Sequence, residues 1–260
     1  MDTLRLATWN IGSLHVNYQA NVQALKRIVE GYPQDILCMQ EFPNDVDLTR
    51  NIMEWGGFSG FLFLETSESH VFKEANMGNA IFSKWGLERV DTIQLPTPAV
   101  QVAYNGRPET WHPKFFTANL CDVGNDVKIL LITGHGFPFH RYQLENPRQK
   151  HIIRPPFMCL DEWASQLREK YIFEKVYMAA DFNIANPLEY MPLCQSYGVD
   201  VFAGEATRPS GRKTDAIILP KGCKLLKKDN ITMVNDSEGI RFDHNFIAAE
   251  FAIMSNLSET

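Results

Sequence analysis

Asp181-Phe182-Asn183 closes the apolar run Val176-Tyr177-Met178-Ala179-Ala180. An acid and an amide two residues apart at the end of a strand share a pleat direction, so both reach the same phosphate or metal. Asp243-His244 opens the chain's final apolar segment, Asn245 to Ile253, while Trp9-Asn10 and Gln40-Glu41 each follow an apolar run. Acids, amides and a histidine delivered this way suggest a hydrolytic site.

The elements that must position them alternate between strand and helix. Leu4, Leu6 and Thr8 alternate with Arg5, Ala7 and Trp9, a period-two strand ending at Asn10. Val22, Leu25, Ile28 and Val29 share one face of a helix over Asn21 to Glu30, stopped by Gly31-Tyr32-Pro33. Asp35 to Gln40 is a short buried strand that delivers Glu41. Asn79 to Trp85, Lys114 to Cys121 and Val127 to Thr133 follow as strands, the last two joined through Gly124-Asn125-Asp126 as a hairpin. Pro155-Pro156 opens a helix whose buried stripe is Phe157, Leu160, Trp163, Ala164 and Leu167. Val176 to Ala180, Asp215 to Leu219 and Asn245 to Ile253 complete the strand set. No repeat or linker splits the chain, which reads as one domain over residues 1–260.

Composition narrows the function classes. With 45% hydrophobic residues over 260 positions, the chain builds a sizeable core, and its apolar runs are far too short to span a bilayer. No membrane anchor or secretory leader is read at the start, so the expected address is cytoplasmic. The five cysteines lack a CxxC pair, which disfavours both a disulfide framework and a thiolate zinc site. A net charge of -6 argues against whole-surface affinity for nucleic acid. It leaves room for a local basic stretch, found between Glu205 and Lys228 around Arg208, Arg212 and Lys213; Lys224 to Lys228 reads as a solvated face.

Asn10, Glu41, His135, Asp181 and Asn183 each follow a hydrophobic strand almost immediately. Packed sheets bring such strand ends to a common rim. Carboxylates and amides without thiolates suit a hard cation, Mg²⁺ or Mn²⁺. Lone His15, His70, His112 and His151 read as surface or satisfied histidines. His135 and His140 make a poor metal pair, and Phe137 and Phe139 are read either as lip packing or as a stacking surface.

The ordered set Thr8-Trp9-Asn10, Asp35 to Glu41, Gly78 to Lys84, Thr133-Gly134-His135, Asp181-Phe182-Asn183, Lys213-Thr214-Asp215 and Phe242-Asp243-His244 resembles the endonuclease/exonuclease/phosphatase superfamily, the deoxyribonuclease I-like fold. The resemblance spans residues 4 to 253. It implies an α/β four-layer sandwich, two packed mixed β-sheets flanked by helices. It also implies Mg²⁺, with Mn²⁺ able to substitute, and a phosphodiester substrate, with DNA or RNA cleavage as the leading activity and no obligate protein partner. Phosphoinositide or sphingomyelin hydrolysis on the same fold, or a catalytically silent binding module, are the alternatives.

Carried onto this chain, the resemblance makes Glu41 the principal metal ligand, with Asp243 a metal-side carboxylate and Asn10 the amide that holds phosphate or the metal's waters. Asp181 orients or deprotonates the attacking water, Asn183 fixes water and phosphate, His244 contacts the phosphoryl oxygens, and Asp215 buttresses that histidine. His135 falls where some members carry a histidine and abasic-site endonucleases a tyrosine. Asn79, Arg212 and Lys213 are expected on the substrate. Two segments match no signature of substrate choice: Pro96 to Pro113, and the loop Gly136 to Arg141.

Overall fold

The computed structural model describes residues 3–14, 17–68, 76–124, 127–171, 175–235 and 237–253. His15, His70 and the Asn125-Asp126 part of the predicted hairpin turn lie outside them. The first third of the chain folds as β1 (Thr3–Asn10), α1 (Tyr18–Gly31), β2 (Ile36–Pro43), α2 (Val46–Gly56), β3 (Gly60–Glu68), β4 (Asn76–Ser83) and β5 (Leu87–Gln94). A small hairpin, β6 (Val102–Tyr104) and β7 (Arg107–Glu109), precedes β8 (Phe115–Asp122), β9 (Lys128–Gly134), α3 (Lys150–Lys170) and β10 (Lys175–Asp181). The chain continues through α4 (Pro192–Tyr197), β11 (Gly198–Asp200), β12 (Asp215–Pro220), β13 (Leu225–Ile231), β14 (Val234–Asn235), β15 (Ile240–Arg241) and β16 (Phe246–Ala252).

Two six-stranded mixed sheets result, ordered β13-β16-β1-β2-β4-β3 and β11-β12-β10-β9-β8-β5. Strand parity dictates how they pack. Leu4, Leu6, Ile36 and Cys38 of the first sheet meet Ile129, Leu131, Tyr177, Ala179 and Ile217 of the second in one core between the sheets. The opposite parity, Ala7, Trp9, Leu37 and Met39, faces Leu25 and Ile28 of α1 and Leu48 and Ile52 of α2. In the second sheet Leu130, Ile132, Met178 and Ala180 face Phe157, Leu160, Ala164 and Leu167 of α3. Each sheet is therefore apolar on both faces, which makes its strands near-continuous hydrophobic runs. This is the expected four-layer α/β sandwich. Among the described residues no helix is long and apolar enough to cross a membrane.

Helix α3 begins five residues before the predicted start at Pro155. Asn146 accepts from the Arg148 N–H at 3.0 Å and caps a short turn over Pro147–Gln149 that runs straight into the helix. Pro155 and Pro156 then fall in the second turn, where they cannot donate to the carbonyls four residues back. One of those belongs to His151, which is exposed. Lys224 to Lys228 runs into the edge strand β13, where Lys227 and Lys228 pair with Asp229 and Glu205.

The parity that fills the inter-sheet core also aims its end residues into the gap between the sheets. Thr8 and Asn10 continue the Leu4-Leu6 side, Thr133 and His135 the Ile129-Leu131 side, and Asp181 the Tyr177-Ala179 side. At that end β9 and β10 stay joined by a bridge between His135 and Asp181 and by the Gly136 N–H donating to the Asp181 carbonyl at 2.8 Å. A Cβ on Gly136 would lie 2.5 Å from the Phe182 carbonyl oxygen, a backbone atom with no room to retreat. Gly136→Ala should therefore lower stability in urea denaturation by about 1–3 kcal/mol. Gly86→Ala, where nothing lies within 4 Å, is the control and should stay within about 0.5 kcal/mol.

Candidate active site

Asp181 forms the floor, with no exposure. Its Oδ1 accepts the Asn183 backbone N–H at 2.8 Å, a local turn that holds Asn183 at a φ of 56°. Asn183 Nδ2 then donates to the Gly136 carbonyl at 3.1 Å. With Oδ1 pinned, Oδ2 turns into the gap. It accepts from Asn10 Nδ2 at 2.9 Å and lies 3.5 Å from His135 Nε2 and 3.7 Å from His244 Nε2. Residues from four strand ends thus converge on one carboxylate oxygen.

Glu41 reaches this floor through a β-bulge. Between Met39 and Phe42 β2 carries one residue more than its partner β4. Met39 and Phe42 both face the helices, and Glu41, at a φ of 51°, is the extra residue turned toward the gap. A glutamate in the left-handed region costs on the order of 1 kcal/mol, so the surrounding sheet holds it there. Its Oε1 accepts from Asn10 Nδ2 at 3.3 Å and lies 3.9 Å from His135 Nε2.

Asn10 has one defensible orientation. The Gly12 N–H needs an acceptor and finds Asn10 Oδ1 at 2.9 Å, which leaves the NH₂ end facing Glu41 and Asp181. Asn10 is therefore a donor toward anions, and the expected metal-ligand role is not the one its oxygen takes. Asp243 is half exposed, and its carboxylate accepts from the Arg208 guanidinium at the rim.

The two histidines stand in opposite charge states. His244 Nδ1 donates to Asp215, 3.0 Å from Oδ2, and Asp215 Oδ2 also accepts from the hydroxyls of Thr207 and Thr214 at 2.8 and 2.9 Å. Burial alone would depress His244, but Asp215 and then Asp181 outweigh it and lift the imidazole to about 9. Burial, with Asp215 adding to it, raises Asp181 to about 7. His135 is buried and then opposed by the Lys114 ammonium, so its pKa falls well below the ordinary histidine value and the ring stays neutral. Lys114 Nζ lies 3.4 Å from His135 Nδ1. A lysine offers only donors, so Nδ1 accepts and the proton sits on Nε2, aimed at Glu41 and Asp181. Sequence reasoning missed Lys114; its sole signal is a single cation heading the run Phe115 to Cys121.

Asp181, Asp215 and His244 present ligand atoms within 4.8 Å of one another. Asp215 nonetheless accepts from two hydroxyls and the imidazole, so it serves His244 as a hydrogen-bond partner, with Asp181 Oδ2 3.7 Å from the ring's other nitrogen. The oxygens that fit a hard cation are those of Glu41 beside Asp181. The cysteines fit no metal role here: Cys38 lies in the inter-sheet core with its thiol pushed up by burial to about 12.

The floor opens into a cavity of about 650 Å³ lined further by Ser67, Met77, Trp111, Lys114, Tyr142 and Arg208. Three expected substrate residues are not brought to it. Lys213 is buried in an ion pair with Asp200 at 2.6 Å, and its amine also donates to the Asp215 carbonyl at 3.2 Å. Arg212 lines a neighbouring cleft with Glu145 and Asn186. Asn79 is buried and donates to the Phe115 carbonyl at 3.3 Å, tying the two sheets together. Phe137 and Phe139 pack in the core around Trp111 and Phe157, so neither is a stacking surface.

The fold is shared by solved structures of low sequence identity. An endonuclease/exonuclease/phosphatase from Beutenbergia cavernae superposes with a TM-score of 0.66 at 14% identity over 96% of this chain and 72% of that one. The human Nocturnin catalytic domain gives 0.66 at 13% identity over 96% and 93%. A Bacteroides thetaiotaomicron mannosyl-6-phosphatase gives 0.62 at 12% identity over 96% and 100%. No curated protein matches in sequence. Residues 7–185, more than half of the sequence, match the model of the Endonuclease/Exonuclease/phosphatase family, and the chain belongs to that family.

Proposed function

We propose that this protein is a divalent-metal-dependent phosphodiesterase that cleaves DNA or RNA. The family's members are hydrolases of phosphoester bonds. The observation that carries the reading is the meeting of Asn10, His135 and His244 on Asp181 Oδ2 with Glu41 alongside. In-line displacement at phosphorus needs an oriented water, donors for the charge that builds on the phosphoryl oxygens, and exclusion of bulk solvent.

Each need has an owner. Asp181, raised toward neutrality, holds the attacking water and takes its proton. His244, charged and fixed by Asp215, donates from Nε2; neutral His135 donates from its own Nε2, and Asn10 from its amide. Glu41 would hold Mg²⁺ or Mn²⁺, which when bound supplies positive charge to the phosphoryl oxygens. Lys114 keeps His135 in the donating tautomer. Around this floor Trp111 and Tyr142 offer aromatic surface of the kind on which nucleotide bases stack.

A second reading, hydrolysis of a small phosphoester, is favoured by the fate of the basic stretch. Lys213, Lys227 and Lys228 are committed to Asp200, Asp229 and Glu205, so they form no track for a long backbone. A panel of single-stranded DNA, duplex DNA, RNA, inositol phosphates, sphingomyelin and small diesters, each with Mg²⁺ and Mn²⁺, decides between the readings. Chelator should abolish turnover and either ion restore it; full turnover in excess chelator overturns the metal role.

Glu41 and Asp215 should fail differently. Glu41→Gln removes a charged ligand, so its loss, about a hundredfold or more, should be partly reversed by high Mn²⁺. Asp215→Asn removes the partner of His244, so added metal should not help. Equal rescue of both would place Asp215 in the metal shell.

The same histidine sets a stability dependence in chelator. Its folded pKa, about 9, exceeds the unfolded value of 6.5, so the stabilisation is complete below pH 6.5 and is lost as pH rises through 9. The melting temperature of the metal-free protein should drop between pH 7 and 9.5, and Asp215→Asn should flatten that drop. An unchanged slope in the variant would break the proposed pairing.

A further inference from the structure

The segments that matched no signature, Pro96 to Pro113 and Gly136 to Arg141, meet at the cavity. The hairpin of β6 and β7 ends in Glu109, whose carboxylate accepts from Arg141 at 2.9 Å and from the Tyr142 hydroxyl at 2.7 Å. Arg141 also lies over the Tyr104 ring, 4.3 Å from its centroid. Behind them Trp111 donates to the Val100 carbonyl at 2.9 Å and packs edge-on against Phe137 and Tyr142. The hairpin is thus stapled to the 137–142 loop by charge, hydroxyl and ring contacts at once.

That loop is fastened on its other side too. His140 is held neutral by burial and then by the neighbouring Arg208, at about 4, so its Nε2 accepts from Arg208 Nη1 at 3.2 Å. Arg208 Nε donates to the Asp243 carbonyl at 3.0 Å, and its other nitrogen pairs with the Asp243 carboxylate. Glu109, Arg141, His140, Arg208 and Asp243 therefore line the cavity as one linked rim, Arg141 and His140 adjacent in the chain and the others joined by hydrogen bonds or ion pairs. The reacting groups lie directly against this rim: Asp181 is wholly buried, Asn10, Asn183 and His244 are nearly so, and Asp243 Oδ2 stands 3.9 Å from His244 Nε2. A volume of about 650 Å³ is that of a small-ligand site.

Building on the phosphoester-hydrolase reading, we propose that this stapled rim restricts the enzyme to phosphoesters presented from a free end, at a strand terminus or on a small organic ester. A phosphate in the interior of a strand has chain on both sides. To reach the floor, one flank must pass through the Glu109-to-Asp243 rim. A terminal phosphoester meets the floor with its short side against the rim and its long side leaving by the remaining side of the mouth. Trp111 and Tyr142 then border the short side, so the group there is compact and planar or hydroxylated rather than a second long chain.

The test compares a linear single-stranded oligonucleotide with its covalently closed circle of the same sequence, alongside bis(4-nitrophenyl) phosphate. Binding is read by fluorescence anisotropy on Asp181→Asn, which leaves strands intact, and cleavage on the wild type with Mg²⁺. The linear form should be bound and cut at least about tenfold better than the circle, a difference of about 1.4 kcal/mol. Glu109→Ala combined with Arg141→Ala should shrink that preference while turnover of the small diester stays within about twofold, since neither side chain is assigned to the chemistry. Small-diester turnover with neither oligonucleotide bound supports the rim model and identifies small organic esters as the source of the free end. Equal treatment of circle and line by an active enzyme, or a preference unmoved in the double variant, overturns it. Absence of small-diester turnover with metal instead defeats the hydrolase reading, and with no ligand bound the rim proposal falls too.

Discussion

Two acids without exposure, Asp181 and Asp215, lie directly opposite one another in β10 and β12, and the rest of the site exists to make that pair tolerable. Buried carboxylates so placed cannot both ionise without compensation. The protein separates their fates. Asp215 receives two threonine hydroxyls and the His244 imidazole, whose charged form it favours. Asp181 receives one amide and one backbone N–H, is left under-compensated, and is raised to about 7. The same burial that makes the pair costly gives one member the basicity to accept a proton near neutral pH.

This electrostatic arrangement depends on the sandwich in a specific way. Asn10, His135 and Asp181 are delivered on the parity that faces the opposite sheet, so the inter-sheet gap is an apolar core along most of its depth and the candidate site at one end. Tyr177 stacks on Phe251 across the gap, rings 5.2 Å apart. Nearer the floor, Thr8 and Gln40 exchange hydrogen bonds and the Thr133 hydroxyl donates to the Ala179 carbonyl at 2.6 Å. These polar residues make the transition between core and site, pairing their own groups so that the charges beyond them rest on satisfied neighbours.

What could be read from the sequence follows from how local each signal is. A period-two run located β1 and apolar runs located β2, β9, β10, β12 and β16, and the polar residues at the ends of these runs marked the floor, because the site gathers where the strands end. Glu41 was found by type, but its route through a bulge at positive φ was invisible, since a bulge depends on the partner strand. Without it, Glu41 would share the outward parity of Met39. Lys213 misled for the same reason. A cation two residues before an acid of the candidate site looks like a phosphate ligand, yet Asp200 of β11 claims its amine. The start of α3 was missed because two prolines look like an opening, while the helix grows at Lys150 out of a short turn that Asn146 caps.

The segments that carried no signature at all are the ones that shape the mouth of the cavity. The hairpin of β6 and β7 has little core of its own, being two three-residue strands, and its position depends on side-chain links to Arg141, Tyr142 and Val100. Such links are long-range pairings of ordinary surface residue types, so no periodicity betrays them. The chemistry of the floor is fixed by burial and parity and changes only at a cost to the fold. The rim is fixed by a handful of polar contacts and can change while the floor stands. Selection for a new phosphoester would therefore act on Glu109, Arg141 and Arg208 long before it touched Asp181 or His244.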